Sequence, residues 1–153
     1  MITVIAVGKI KEAYIREGIA DYSKRIGRFG KFEIVEIAEE NCDSNPSLAI
    51  SAEGKRISEK IPVGAYLIGL DLQGQQFSSE GLSDRIQTLF TAGNSHLCFL
   101  IGGSCGLSDE LKARCDFLLS FSKMTFPHQL FRLILLEQIY RAFKIIRNET
   151  YHK

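Results

Sequence analysis

Five glycines between residues 69 and 106 lie where a backbone could pass close to a ligand. They stand within or directly after apolar, strand-like segments: Gly69, Gly74, Gly102, Gly103 and Gly106. Because glycine has no Cβ, the N–H and C=O groups at these positions can approach a flat purine edge. A tight strand-to-helix turn at Gly102–Gly103 requires the same residues. The glycines therefore favour an adenosine-containing ligand but leave the plain turn open as an alternative.

Basic and histidine side chains are concentrated at the C-terminal end. From Phe117 onward six basic residues stand against two acids, Glu137 and Glu149: Lys123, Arg132, Arg141, Lys144, Arg147 and Lys153. The basic side chains could neutralise RNA phosphates, and the rings of Tyr140 and Tyr151 could stack on bases. Alternatively, the basic residues form only a solvent-exposed helix face. His128, directly after Pro127, is consistent with a proton-transfer group, an RNA contact or simply a helix start.

The remaining motifs exclude several chemistries. Cys42, Cys98, Cys105 and Cys115 include no C-x-x-C pair and match no common zinc pattern, so no metal site is predicted. We predict reduced cysteines, with Cys98 a buried hydrophobe and a catalytic Cys105 the weaker alternative. The loop after the first strand lacks G-x-G-x-x-G, which argues against a nicotinamide or flavin oxidoreductase.

The elements that must position these residues alternate along the chain. Apolar runs predict strands over 2–7, 32–37, 65–70, 96–101 and 117–121. Helical spacing predicts helices over 11–29, 46–60, 79–92 and 129–147, and Ser108 is expected to cap a further short helix. The third strand is expected to end at Asp71 and to run into a loop at 72–76, and 39–46 is expected to be a mobile loop. Near-continuous apolar strands indicate an α/β fold with an open, mostly parallel sheet and helices on both faces.

Length and composition fit a single domain over residues 1–153. Hydrophobic residues make up 45% of the chain and charged residues 24%, with a net charge of +1. No apolar stretch approaches the roughly 18 residues that span a bilayer. We therefore expect a soluble cytoplasmic protein with no membrane partner.

Several segments, in order and at matching separations, resemble one family. They are Leu100-Ile-Gly-Gly-Ser-Cys-Gly-Leu-Ser, Leu119 through His128, Glu137-Gln-Ile-Tyr-Arg-Ala-Phe-Lys, the terminal Tyr-His-Lys and the N-terminal Ile5-Ala-Val-Gly-Lys-Ile-Lys. The chain is similar in these to the RlmH family of SPOUT-class methyltransferases. The resemblance implies transfer of a methyl group from S-adenosylmethionine (SAM) to N3 of a pseudouridine in 23S rRNA of the assembled ribosome. It also implies a C-terminal trefoil knot and a homodimer.

The resemblance assigns site residues by position. The SAM site falls on the third-strand end, the glycine loop and the loop after the fifth strand: Leu70, Asp71, Gly102, Gly103, Ser122, Lys123, Met124, Thr125, Phe126 and Pro127. RNA contacts are expected at the basic helix and the C-terminal tail: Arg132, Arg141, Lys144, Tyr151, His152 and Lys153. The N3 proton must leave during transfer, either to water or to a nearby base. A base whose pKa lies near the working pH is the most effective, which favours His128 or His152 over an arginine.

Two other functions compete with this interpretation. One is a methyltransferase of the same fold that acts on another RNA, such as tRNA, and substrate preference separates the two. The other is a ribosome-associated RNA-binding protein without catalysis, which predicts no affinity for SAM. The short chain offers no additional RNA-binding domain, which favours a structured ribosomal target.

Overall fold

The computed structural model describes residues 1–151, and strands alternate with helices throughout. The strands are β1 (Ile2–Val7), β2 (Phe32–Ile37), β3 (Tyr66–Gln76), β4 (Leu97–Ile101) and β5 (Phe117–Ser120). The helices are α1 (Ala13–Ile26), α2 (Pro46–Lys60), α3 (Ser79–Thr91), α4 (Asp109–Arg114) and α5 (His128–Ile146). The predicted alternation of elements is therefore confirmed, with helix ends that differ by up to three residues.

Serine and asparagine side chains start three of the helices. The Ser78 side chain accepts a hydrogen bond from the Gly81 N–H at the start of α3, and Ser108 accepts one at the start of α4. Asn45 caps α2 in the same way, directly before a proline at the first helical position. Each cap satisfies a backbone donor that has no partner within the helix.

The five strands form one parallel sheet in the order β2-β1-β4-β3-β5. Alternate residues of β1 face opposite layers: Val4 packs with residues of α1, α3 and α5, whereas Ile5 packs with residues of α2 and α4. The open parallel sheet with helices on both faces is confirmed. The trefoil knot implied by the resemblance stays a prediction.

The third strand is longer than its sequence suggested. β3 continues past Asp71 to Gln76, and its register against β5 shifts between Leu70 and Gln75. The predicted loop at 72–76 is therefore wrong, because backbone pairing with β5 holds these polar residues in a strand. A Cβ at Gly74 would lie 2.7 Å from the Leu118 carbonyl carbon, so glycine is required here by backbone packing.

Two of the four cysteines are joined. Cys42 and Cys105 form a disulfide with a Cα–Cα distance of 6.3 Å, so the prediction that all cysteines are reduced is wrong. Cys98 is fully buried, as predicted, and burial raises its pKa to about 12. Burial also raises the pKa of the half-buried Cys115 to about 11.

Within residues 1–151, no helix has the length and apolar character needed to cross a bilayer. The same residues contain no group of three or more His, Cys, Asp or Glu side chains placed to hold a metal ion.

Candidate active site

Four loops converge at the carboxyl ends of the parallel strands, where open α/β sheets place their ligands. They are 8–12 after β1, 38–45 after β2, 102–108 after β4 and 121–127 after β5. The predicted cofactor residues Leu70 and Asp71 lie beside them, within the extended β3. This edge of the sheet carries the candidate site.

The glycine loop, defined here as 102–106, makes a tight turn directly after β4. The Gly106 N–H donates to the Gly103 carbonyl at 3.0 Å, and Gly106 has a positive φ of +80°. A Cβ at Gly102 would lie 2.3 Å from the Gly106 carbonyl carbon. The turn itself therefore requires these glycines, so their presence alone does not establish that a ligand binds here.

A buried carboxyl group from α2 supports the glycine loop. Glu53 is only 4% exposed, and its carboxylate accepts hydrogen bonds from the backbone N–H groups of Glu40, at 2.9 Å, and Gly103. Burial raises the pKa of Glu53, although these two hydrogen bonds act in the opposite direction. Sequence reasoning did not identify Glu53, because an acid within a polar helix resembles a surface residue.

Asp71 is held in place by α4. Its carboxylate forms an ion pair with Lys112 at 2.7 Å and accepts the Gln73 N–H at 2.9 Å. Burial acts to raise the pKa of Asp71, but the hydrogen bonds from Lys112 and Gln73 outweigh it and leave the pKa below its usual value. The Asp71 side chain is thus occupied within the protein, which leaves the backbone of 70–71 as the group available to a cofactor.

The loop after β5 presents apolar side chains to solvent. Met124 is 74% exposed and Phe126 38%, and the Phe126 ring stacks on Phe131 with centroids 6.0 Å apart. The Ser122 Oγ accepts the Met124 N–H at 2.7 Å and shapes the turn. Lys123, Thr125 and Pro127 are exposed as well, so the predicted cofactor segment is open to a ligand or a partner from 123 to 127, whereas Ser122 is half-buried.

A groove of about 280 Å³ lies beside this loop, between the start of α3 and α5. Phe77, Phe121, Phe126 and Ile134 give it an apolar wall. Of the predicted cofactor residues only Phe126 lines it, and the glycine loop and the 70–71 backbone do not.

His128 lies at the start of α5, over the carboxyl end of β1. Its Nε2 is 3.6 Å from Glu39 Oε1, and a Cβ at Gly8 would lie 3.0 Å from the same nitrogen. Nε2 is shielded from solvent and has no hydrogen-bond partner among the described residues. Ser104 of the glycine loop donates to Glu39 Oε1 at 3.2 Å, so one carboxylate stands between the histidine and the loop.

Glu39 is a residue that sequence reasoning missed. It lay within the predicted mobile loop 39–46, but its position two residues after β2 puts it at the same sheet edge as the other candidates. That position was the available signal, because the carboxyl ends of parallel strands share an edge.

Arg132 corrects the predicted RNA surface. Its side chain is 1% exposed, and its guanidinium donates to the Gly8 carbonyl at 2.7 Å and to Glu36 at 2.7 Å. A further bond reaches the Val7 carbonyl at 3.3 Å. A side chain enclosed by the β1 and β2 ends cannot reach an RNA phosphate, so Arg132 is a structural residue in this fold.

The other predicted RNA contacts have partners within the chain. Arg141 forms an ion pair with Glu137 at 2.6 Å, and its guanidinium lies 4.8 Å from the centroid of the Tyr151 ring. The Tyr151 hydroxyl donates to Glu137 at 3.1 Å, and burial raises its pKa. Lys144 pairs with Glu149. RNA contact by these three residues stays a prediction, and His152 and Lys153 lie outside the described residues.

Comparisons with known proteins agree over the whole chain. Residues 1–152 match the family described as "Predicted SPOUT methyltransferase". A protein of Carboxydothermus hydrogenoformans named ribosomal RNA large subunit methyltransferase H is 52% identical over 99% of both chains. Its namesake in Alkaliphilus oremlandii is 51% identical over the same shares. Among solved structures, a methylase family protein from Neisseria gonorrhoeae shares the fold, with a TM-score of 0.56 at 13% identity over 99% of this chain and 86% of that one.

Proposed function

The chain belongs to the SPOUT methyltransferase family, and on that premise we propose that it transfers a methyl group from SAM to large-subunit ribosomal RNA. The observation that carries this proposal is identity of about half, along nearly the full length of both chains, with relatives named for that activity. The target proposed is N3 of a pseudouridine in 23S rRNA of the assembled ribosome, in the cytoplasm. The net charge of the chain is only +1, so it has no strong positive field to attract free RNA. This weak charge favours a ribosomal particle, which offers many contacts, as the substrate.

The chemistry of the exposed loop suits an adenosine-containing cofactor. An adenine ring needs apolar cover and backbone hydrogen-bonding groups, and the exposed Met124 and Phe126 with the open backbone of 122–127 offer both. The backbone of 70–71 and of Gly102–Gly103 would complete the site at the same sheet edge. When bound, SAM supplies an electrophilic methyl group, and the task left to the protein is alignment and removal of a proton.

His128 is the proposed acceptor of the N3 proton among the described residues. Its side chain is 20% exposed, and because Nε2 is shielded beside Glu39, we assign the proton to Nδ1. A positive charge that develops on the ring would be stabilised by the Glu39 carboxylate. His152 is the alternative acceptor.

A second copy of the chain is proposed to complete the site. The groove between α3 and α5, which lies beside the proposed cofactor segment, has an apolar wall that includes Phe77, Phe121 and Ile134, a surface that an apolar partner would cover. Light scattering should then give about twice the monomer mass of 17.2 kDa. A mass equal to the monomer at micromolar concentration would reject the dimer.

The deciding experiment offers tritiated SAM to the protein with four RNA substrates: 70S ribosomes, 50S subunits, free 23S rRNA and bulk tRNA. Ribosomes come from cells that lack this protein, so that the target position is unmodified. We expect label in 23S rRNA of intact ribosomes and little in free RNA. Label in tRNA would show that tRNA, and not 23S rRNA, is the substrate. If no RNA is labelled and calorimetry detects no SAM binding, the remaining interpretation is a non-catalytic RNA-binding protein.

Two substitutions test His128 as the proton acceptor. His128→Gln keeps a polar nitrogen near the Nε2 position, whereas His128→Asn keeps one near Nδ1, and neither accepts a proton at neutral pH. We expect both variants to bind SAM as wild type and to lose methyl transfer by at least about a hundredfold, a typical contribution of general-base catalysis. If both variants retain methyl-transfer activity, the proton acceptor is His152 or water and not His128.

A further inference from the structure

A covalent connection joins the glycine loop to the neighbouring loop after β2. Cys105 lies inside the loop, and Cys42 lies in the turn between β2 and α2, 63 residues earlier in the sequence. The Cα–Cα distance of 6.3 Å lies within the usual range for disulfides. Both residues are half-buried, so small oxidants and reductants can reach them.

Other contacts bring the two segments together independently of the disulfide. Ser104 donates to Glu39 at 3.2 Å, and Glu53 accepts backbone hydrogen bonds from both Glu40 and Gly103. These bonds link the loop to residues within three positions of Cys42. The two sulfurs are therefore held close when the pair is reduced, which favours formation of this disulfide over any other.

The remaining described cysteines are less suited to such chemistry. Cys98 is fully buried in β4, and Cys115 is half-buried and donates to the Leu111 carbonyl at 3.2 Å. The oxidisable pair is thus confined to the two segments that meet at the glycine loop.

We propose that Cys42 and Cys105 form a redox-sensitive pair whose disulfide tightens the binding of SAM to this chain, an inference that rests on the proposed function. With hydrogen peroxide as oxidant, one thiolate attacks the O–O bond, which gives a sulfenic acid and hydroxide. The second thiol then attacks the sulfenic sulfur, the S–S bond forms and water leaves. Two electrons pass from the thiols to the peroxide, and a dithiol reductant reverses the change by thiol–disulfide exchange.

The direction follows from the position of the bond. Gly102 and Gly103 are proposed cofactor contacts, and they lie three and two residues before Cys105. A crosslink at Cys105 reduces the number of conformations open to the loop before a ligand binds, so binding orders fewer residues. Because the hydrogen bonds at Gly103 and Ser104 persist after reduction, we expect an effect equal to fixing one residue, about fivefold in affinity.

The test uses the full-length protein after treatment with stoichiometric hydrogen peroxide or with dithiothreitol. Alkylation and peptide mapping report whether Cys42 and Cys105 are linked, and calorimetry reports the dissociation constant for SAM in each state. Cys42→Ser cannot form the bond and changes none of the proposed cofactor contacts. Cys115→Ser removes a different thiol and serves as the matched control.

We expect the peroxide-treated wild type and Cys115→Ser to carry the 42–105 link and to bind SAM about fivefold more tightly than their reduced forms. Cys42→Ser should bind equally in both conditions, with the affinity of the reduced wild type. Failure of the link to form, or dissociation constants that agree within twofold, would overturn the inference. If the disulfide forms but neither redox state binds SAM, both the proposed function and the redox coupling are rejected. If SAM binds with the same dissociation constant in both states, only the redox coupling is rejected.

Discussion

Replacement of Arg132 by methionine tests whether this residue is structural or an RNA contact. The substitution removes a charge-assisted hydrogen bond to the buried Gly8 carbonyl, which is worth roughly 1.5–3 kcal/mol. It also removes the pair with Glu36, but that carboxylate is 40% exposed and returns to water, so its share is below about 1 kcal/mol. Methionine restores much of the apolar volume. The expected loss in the free energy of unfolding is therefore about 2–4 kcal/mol.

The assay is urea unfolding followed by circular dichroism at neutral pH. Arg132→Lys is the matched comparison, because lysine keeps the charge but not the fork that reaches both Gly8 and Glu36, and we expect an intermediate loss. Glu36→Gln should cost about 1 kcal/mol, since the amide oxygen still accepts a hydrogen bond from the guanidinium.

A different result would restore the RNA role. If Arg132→Met unfolds within about 0.5 kcal/mol of wild type, yet binds ribosomal RNA more weakly with a salt slope reduced by about one, the side chain contacts a phosphate in solution. The reasoning from burial would then be wrong.

The glycine loop, one buried carboxyl group and two thiols give three further tests. Gly102→Ala should abolish SAM binding in calorimetry, because its Cβ would lie 2.3 Å from the Gly106 carbonyl carbon. Gly81→Ala is the control: its Cβ makes only ordinary contacts in α3, so it should bind SAM as wild type does. If Gly102→Ala also binds SAM as wild type does, the glycine loop has no role in binding. Burial raises the pKa of Glu53, so the wild type should exceed Glu53→Gln in free energy of unfolding by the full amount below the usual pKa of 4.5, and this difference should decline as pH rises through the raised pKa. Urea unfolding at a series of pH values measures the difference, and a constant difference across this range would contradict the raised pKa. With pKa values of about 12 and about 11, Cys98 and Cys115 should resist iodoacetamide at neutral pH in the folded protein, and rapid labelling of either by peptide mapping would argue against their burial.

The architecture was predictable because its signals are local. A continuous apolar run such as Ile2–Val7 belongs in a sheet covered on both faces, and caps such as Ser78 and Ser108 mark helix starts within a few residues. The rule that ligands lie at the carboxyl ends of parallel strands then directed attention to the loops after β1, β4 and β5, which the structure places at one edge of the sheet. These inferences need no knowledge of which segments touch.

What the sequence did not reveal depends on contacts between distant segments. Arg132 looks like a surface residue until the β1 end, some 125 residues earlier, encloses its guanidinium. The Cys42–Cys105 pair spans 63 residues with no recognisable spacing. The polar continuation of β3 through Gln76 reads as a loop because its apolar pattern stops, and only pairing with β5 makes it a strand.

The place of β4 in the sheet has a consequence for synthesis of the chain. β4 lies between β1 and β3, so the first three strands cannot join into one sheet until Leu97–Ile101 has been made. At about 5–20 residues per second, translation from β1 to β4 takes roughly 5–20 s. Until β4 is made, β1 has a partner on one side at most, and β3, once synthesised, has none, so both strands present open edges of the kind that pair with other chains. A nascent chain of this protein therefore depends on protection of those edges, by the ribosome or by a chaperone, until the last of its central strands has emerged.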